Sequence, residues 1–300
     1  MADFFPPTPQ AYNVLFRGFQ ALLPQASRQW AAHRPAKRAS ISLAVTPGPS
    51  LKASVPSICS SSSTRSPPDS SLPLPHPPLS FLYHELLALL YLLHYLNRAI
   101  TTPLFLAPSM SPIAAPVAIL MAVFQYVNSS CLSCWLVYDA HSKLSHSNSI
   151  PIPSSLLSPP FTNPLPLLGV VLFTLGLYSN IASETTLFAL RRAAALRRAK
   201  SEGKPLHNLS YHKVYVVPEP KGWFKYVLYP HYTTEWLEWT GYWLTGGLAG
   251  LGWWGTPAMW FVVNEVGTMA PRALDGWRWY EGKFGKRALA RRAAVVPGLL

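Results

Sequence analysis

The sequence predicts an all-α fold: a multispanning transmembrane helical bundle of about five to six spans, carrying a disordered Ser/Pro-rich insert. Three observations lead there. The 300 residues are 49% hydrophobic and only 12% charged, against roughly a quarter charged in soluble domains. Several apolar runs approach the ~20 helical residues that a bilayer core requires. The charge that remains is positive, net +13, and it flanks those runs. An excess of this kind also fits nucleic-acid binding. Its position beside apolar runs assigns it instead to the loops of a membrane protein, with no nucleic-acid partner. Eleven Trp and 14 Tyr suit a chain with many membrane-interface positions.

In chain order, residues 1–10 lack a basic region followed by an apolar core, so no cleaved signal is expected. The N-terminal segment 1–38 holds a candidate first membrane helix at 11–25, interrupted by Arg17 and Pro24, and then a basic cluster, Arg28, Arg34, Lys37 and Arg38. Residues 39–78, with SSSSTRSPPDSS and LPLPHPP, cannot bury a core and are expected to be disordered. The first clear span is 79–96, LSFLYHELLALLYLLHYL, closed by Asn97 and Arg98. A second covers 112–137, a polar Pro-rich loop 139–164, and a third span 165–182, with an Arg-rich helix at 191–200. The fourth and fifth spans are 234–253 and 256–270.

Gly222, Pro230, Thr233 and Thr234 prepare the start of the fourth helix. Glu235 and Glu238 are expected in its first turns, where a helix N-terminus favours negative charge. Glu265 and Arg272 share a face if the last helix reaches them, while Pro271 predicts a stop or kink just before Arg272. Cys131 and Cys134 form a C-x-x-C without a second pair, so they are read as packed helix residues. The histidines show no metal-ligand spacing, and no phosphate-binding loop motif occurs.

Charge also orients the bundle. Basic segments at 191–204 and 278–292, together with Arg98, fall on one side when spans are counted, which the positive-inside rule makes cytosolic. Tyr95, Arg98, Asn180, Glu184, Arg191, Glu235, Arg272 and Tyr280 then collect at one rim, where a phosphate-bearing cofactor would meet them. The same count demands a crossing between the 28–38 cluster and residue 79, and 39–78 contains no spanning run.

The stretch 218–300 carries, in order, Gly222 and Phe224, Pro230-His231-Tyr232 followed by Glu235, and Glu238-Trp239-x-Gly241. Arg272-Ala273, Trp279-Tyr280, Lys283-Phe284, a basic run and a terminal Val-Pro follow. In this order and spacing the stretch resembles the C-terminal domain of the steroid 5α-reductase family, in a fungal-type member. The resemblance extends over a membrane domain at 79–300 and is densest at 218–300. It implies an endoplasmic reticulum membrane protein that reduces a carbon–carbon double bond conjugated to a carbonyl, in a steroid or other lipid, with NADPH. His94-Tyr95-x-x-Arg98 looks like the family's His-Tyr-x-x-Arg motif, which makes Tyr95 the catalytic phenol at the substrate's carbonyl oxygen. Asn180-Ile-Ala-Ser-Glu184 is similar to the family's Asn-x-x-x-Asp, with Glu replacing Asp. The resemblance implies cofactor contacts for Arg98, Asn180, Glu184, Arg191, His231, Tyr232, Glu235, Arg272 and Tyr280. His231 stands where many relatives have Asn. Related branches reduce polyprenols or enoyl thioesters.

One departure weighs against activity. The family places a catalytic Glu on an early helix in a Glu-x-Pro context, and residues 1–78 have none. The Ser/Pro-rich stretch occupies that place and, with 141–164, has the composition of translated intron. A catalytically inactive membrane scaffold that keeps the fold is therefore the alternative.

Overall fold

The computed structural model describes residues 80–109, 115–147, 164–205, 207 and 209–299, together with residues 14, 16 and 17. The rest of the N-terminal segment and the 39–78 insert lie outside the described residues. What is described is helical. Helix α1, Ser80–Tyr95, continues as a wider π-helical segment, Leu96–Leu106. Then come α2 (Ala115–Ser147), α3 (Leu165–Ser201), α4 (Pro230–Leu248) and α5 (Pro257–Phe284).

The exterior is apolar, unlike that of a water-soluble bundle, and several polar groups are buried within the hydrophobic core. Leu89 and Leu92 of α1, Ile119 of α2, and Leu168, Val171 and Leu175 of α3 are exposed, Leu92 at 64%. Meanwhile His84, His94, Asn128, Asn180, Glu235, Glu238 and Glu265 are buried. An apolar exterior with its polar groups turned inward suits helices surrounded by lipid. Among the described residues two helical stretches, Ala118–Asp139 and α3, are long and apolar enough to cross a membrane, with mean hydropathies of 1.3 and 1.8.

The core knits all five helices around Trp239, with Leu87, Leu132, Trp135, Phe173, Tyr242 and Phe261. α3 and α4 approach most closely, because glycines remove the side chains between them. A Cβ on Gly176 would lie 2.5 Å from the Glu238 backbone nitrogen. A Cβ on Gly241 would meet the Phe173 backbone, and one on Gly169 would meet Thr245. This is the small-residue packing of membrane helices. It brings the Glu238 turn against α3 and, one turn on, sets Asn180 beside Glu235.

Three expectations are corrected. The loop expected from residue 139 begins as helix, since α2 runs to Ser147. The Arg-rich stretch 191–200 is the end of α3 rather than a separate helix. Pro271 does not end α5, which continues to Phe284. The carbonyl that a proline ring crowds lies four residues earlier, here at Gly267, where the backbone has freedom to give.

The C-terminal tail returns to the start of α4. Leu228 N donates to Ala293 O and Tyr229 N to Ala294 O, both at 3.0 Å, and Thr233 Oγ1 donates to Val295 O at 2.6 Å. Arg292, 3% exposed, locks this turn by donating to the carbonyls of Leu289, Pro218, Phe224 and Ala288. Burial lowers its pKa.

Candidate functional site

α1, α3 and α4 deliver a cluster of ionisable groups to one place. α1 ends in His94 and Tyr95, and Arg98 follows one turn later on the wider helix. Arg98 Nη1 donates to Glu184 Oε1 of α3 at 2.5 Å, and its Nη2 lies 3.9 Å from Glu235 Oε2 of α4. The Glu235 carboxylate, with Glu184 behind it, raises the Arg98 pKa above its ordinary range against the opposing effect of burial. Asn180 Nδ2 donates to His231 O at 2.7 Å and to Glu235 Oε2 at 3.2 Å. Behind them His94 Nδ1 and Glu238 Oε1 are hydrogen-bonded at 2.8 Å, with Glu238 wholly buried. Glu235 and Glu238 thus lie beyond the first turn of α4. Side-chain partners, rather than the helix N-terminus, hold them, which corrects the sequence reading.

Tyr95, Arg98 and Glu235 open on a cavity of about 1050 Å³. Its walls are largely apolar, including Leu120, Val123, Phe124 and Phe261, with a polar strip of Asn264, Glu265 and Thr268 from α5. Tyr95 packs against Tyr91, ring centroids 4.6 Å apart, and edge-on to His94 at 4.9 Å. Tyr91 in turn accepts from Gln125 Nε2 at 3.0 Å and is bonded to Ser129 Oγ at 2.7 Å. The phenol is therefore fixed by packing on one side and faces a lipid-sized hollow on the other.

A second cavity, about 840 Å³, adjoins the first through Ser109 and Phe188, which line both. It is bounded by Arg191 at the end of α3, Tyr280 of α5 and the segment 209–216 with Tyr211, Lys213 and Tyr215. Burial raises the Tyr280 pKa, while the nearby Arg191 charge acts in the opposite direction. A guanidinium, an ammonium and three phenol rings suit an anionic, aromatic ligand such as a nucleotide.

The expected site residues divide accordingly. Tyr95, Arg98 and Glu235 line the larger cavity and Arg191 and Tyr280 the smaller one. Glu184 and Asn180 line neither, and bond to Arg98 and Glu235 from behind. His231 and Tyr232 sit at the start of α4, rings 4.5 Å apart. Arg272 is exposed and lines neither cavity, although its charge reaches Tyr229 and Tyr232. Sequence reasoning missed the His94–Glu238 pair, Gln125 and the 209–216 segment. An ionisable group within an apolar run, such as Glu238, was the available signal for the first. Neither of the others carries a motif. Among the described residues no cluster of metal-ligating side chains occurs.

Residues 114–300 match the family model described as 3-oxo-5-alpha-steroid 4-dehydrogenase. The chain is 30% identical over 216 residues to an uncharacterized protein of Schizosaccharomyces pombe, covering 72% of this chain and 68% of that one. It is 28% identical over 213 residues to steroid 5-alpha-reductase DET2 of Arabidopsis thaliana, covering 69% and 66%. Against the DET2 protein of Solanum lycopersicum the identity is 28% over 228 residues, covering 74% and 70%.

Proposed function

Because this chain belongs to the 3-oxo-5-alpha-steroid 4-dehydrogenase family, we propose that it reduces a carbon–carbon double bond conjugated to a carbonyl, in a steroid or other lipid, using NADPH. One observation carries this reading: a half-buried phenol, Tyr95, opens on a large apolar cavity that adjoins a second, basic cavity. The first suits a lipid and the second a nucleotide.

Reduction of such a bond places negative charge on the carbonyl oxygen. The Tyr95 hydroxyl donates a hydrogen bond to that oxygen and, as charge develops there, its proton. Arg98, fixed by Glu184 and Glu235, adds positive potential in a site whose apolar walls exclude water. In the smaller cavity Arg191 and Lys213 would hold the cofactor's phosphates, with Tyr280 beside them on the same wall. When bound, NADPH supplies the hydride. Asn180, Glu184 and Glu235 hold Arg98 in place at the lipid cavity, while His231, Tyr232 and Arg272 line neither cavity.

The protein is read as multi-pass in the endoplasmic reticulum membrane with five to six spans and its cofactor cavity on the cytosolic side. Basic residues at the end of α3 and after α5 support that orientation. The test is NADPH oxidation by the purified protein in detergent with a 4-ene-3-ketosteroid. Tyr95→Phe is expected to lower turnover by about 100-fold or more while NADPH still binds. Turnover unchanged by that substitution removes Tyr95 from the mechanism. The absent Glu-x-Pro in residues 1–78 favours a second reading, an inactive scaffold that keeps the fold. NADPH binding without turnover on any enone lipid would establish it.

A further inference from the structure

The larger cavity contains a carboxylate that the proposed reaction does not use. Glu265 of α5 is 9% exposed, lines the cavity with Tyr95 and Arg98, and has no side-chain hydrogen bond among the described residues. The charges that act on it within the bundle are those of Glu235, Arg98 and Glu238. Arg98 is already engaged by Glu184 and Glu235. Asn264 and Thr268 flank Glu265 on the same wall, so α5 presents a polar strip to a hollow otherwise walled by Leu120, Val123 and Phe124.

A wholly apolar ligand filling this space would strip water from Glu265 and leave it without a partner, which is strongly unfavourable. A ligand carrying a hydroxyl would satisfy it. In either protonation state a carboxyl group keeps an oxygen that accepts a hydrogen bond. Sites built to hydrogen-bond a ligand hydroxyl reject analogues that lack it, because their own polar group is then left unpaired.

We propose that Glu265 is a specificity-determining residue that selects lipids bearing a hydroxyl group in addition to the conjugated carbonyl. The inference rests on the larger cavity being the lipid site, as read above. An ammonium loses far more solvation than a hydroxyl on entering a hollow with these apolar walls, so the favoured donor is a neutral hydroxyl rather than an amine.

The test measures binding rather than turnover. Two 4-ene-3-ketosteroids, identical except for one remote hydroxyl, are titrated against the full-length protein in detergent, with quenching of tryptophan fluorescence as the readout. The hydroxylated compound is expected to bind roughly 10- to 100-fold tighter, the value of one hydrogen bond to a charged group. Glu265→Leu is expected to abolish that preference, and Glu265→Gln, which keeps an acceptor oxygen, to retain part of it. Should Glu265→Leu fail to fold, the wild-type and Glu265→Gln titrations decide. Equal affinity of the wild type for both steroids overturns the inference, as does a preference that survives Glu265→Leu. Tighter binding of an amine-bearing analogue than of the hydroxylated one overturns the choice of donor. NADPH oxidation is recorded separately. Its failure with every enone would count against the reductase reading while leaving a hydroxyl preference in binding intact.

Discussion

The His94–Glu238 pair is the interaction whose loss the fold should feel most sharply. Both residues are buried, 4% and 0% exposed, and their side chains meet at 2.8 Å. The other Glu238 oxygen, Oε2, is buried and unpaired among the described atoms. Replacing His94 by Phe removes the one partner the carboxyl has. The lost hydrogen bond costs about 1 kcal/mol, and the buried group left unsatisfied costs a further ~1–3 kcal/mol. The sum is roughly 2–4 kcal/mol. The partner substitution Glu238→Met, close in shape, removes the polar group and leaves only the His94 nitrogen unsatisfied, at a cost of about 1–2 kcal/mol. The double variant has no orphan and should be more stable than His94→Phe alone. The assay is thermal unfolding in detergent of wild type, both single variants and the double, assembled as a double-mutant cycle. A coupling of at least ~1 kcal/mol is expected, with the double variant closer to wild type than the sum of the singles. If the two effects add to within about 0.5 kcal/mol, the pair does not act as a unit, and the account of how Glu238 is tolerated in the core is wrong.

Gly176→Leu should prevent α3 and α4 from closing, since even a Cβ would sit 2.5 Å from the Glu238 backbone nitrogen. Loss of a monodisperse peak on size-exclusion chromatography checks this, and an unaltered profile contradicts it. Arg292→Met removes the donor shared by two carbonyls of the tail turn and two of the segment before α4, at an expected cost of ~2–3 kcal/mol. Faster proteolysis after α5 is the readout. Arg191→Ala should raise the KM for NADPH by about 10-fold or more, the value of one charge-assisted phosphate contact, with little change in the affinity for steroid. Initial-rate kinetics separate the two.

Much of this was legible along the chain because it depends on local pattern. The apolar run ending in His94-Tyr95 and the apolar run from residue 165 name their own helices. The residues after 218 name the family. The candidate site was partly legible for the same reason: Tyr95, Arg98, Asn180, Glu184 and Glu235 recur in recognisable spacing. Pro271 misled as a stop signal, because proline reports only a local cost and α5 nonetheless runs on to Phe284. The segment 209–216, which walls the smaller cavity, was illegible because a loop's position depends on what it packs against.

The amino-acid sequence by itself determined an all-helical chain whose few charges sit at the ends of apolar runs, since hydropathy and periodicity are properties of neighbours along a strand of covalent bonds. Only the tertiary structure decided that Tyr95 and Glu265 face one cavity, that Arg191 and Tyr280 face another, and that Glu238 needs His94, residues 144 positions apart. Those pairings join α1 to α4, α1 to α5 and α3 to α5, and so depend on distances through space between helices that no single stretch of sequence encodes.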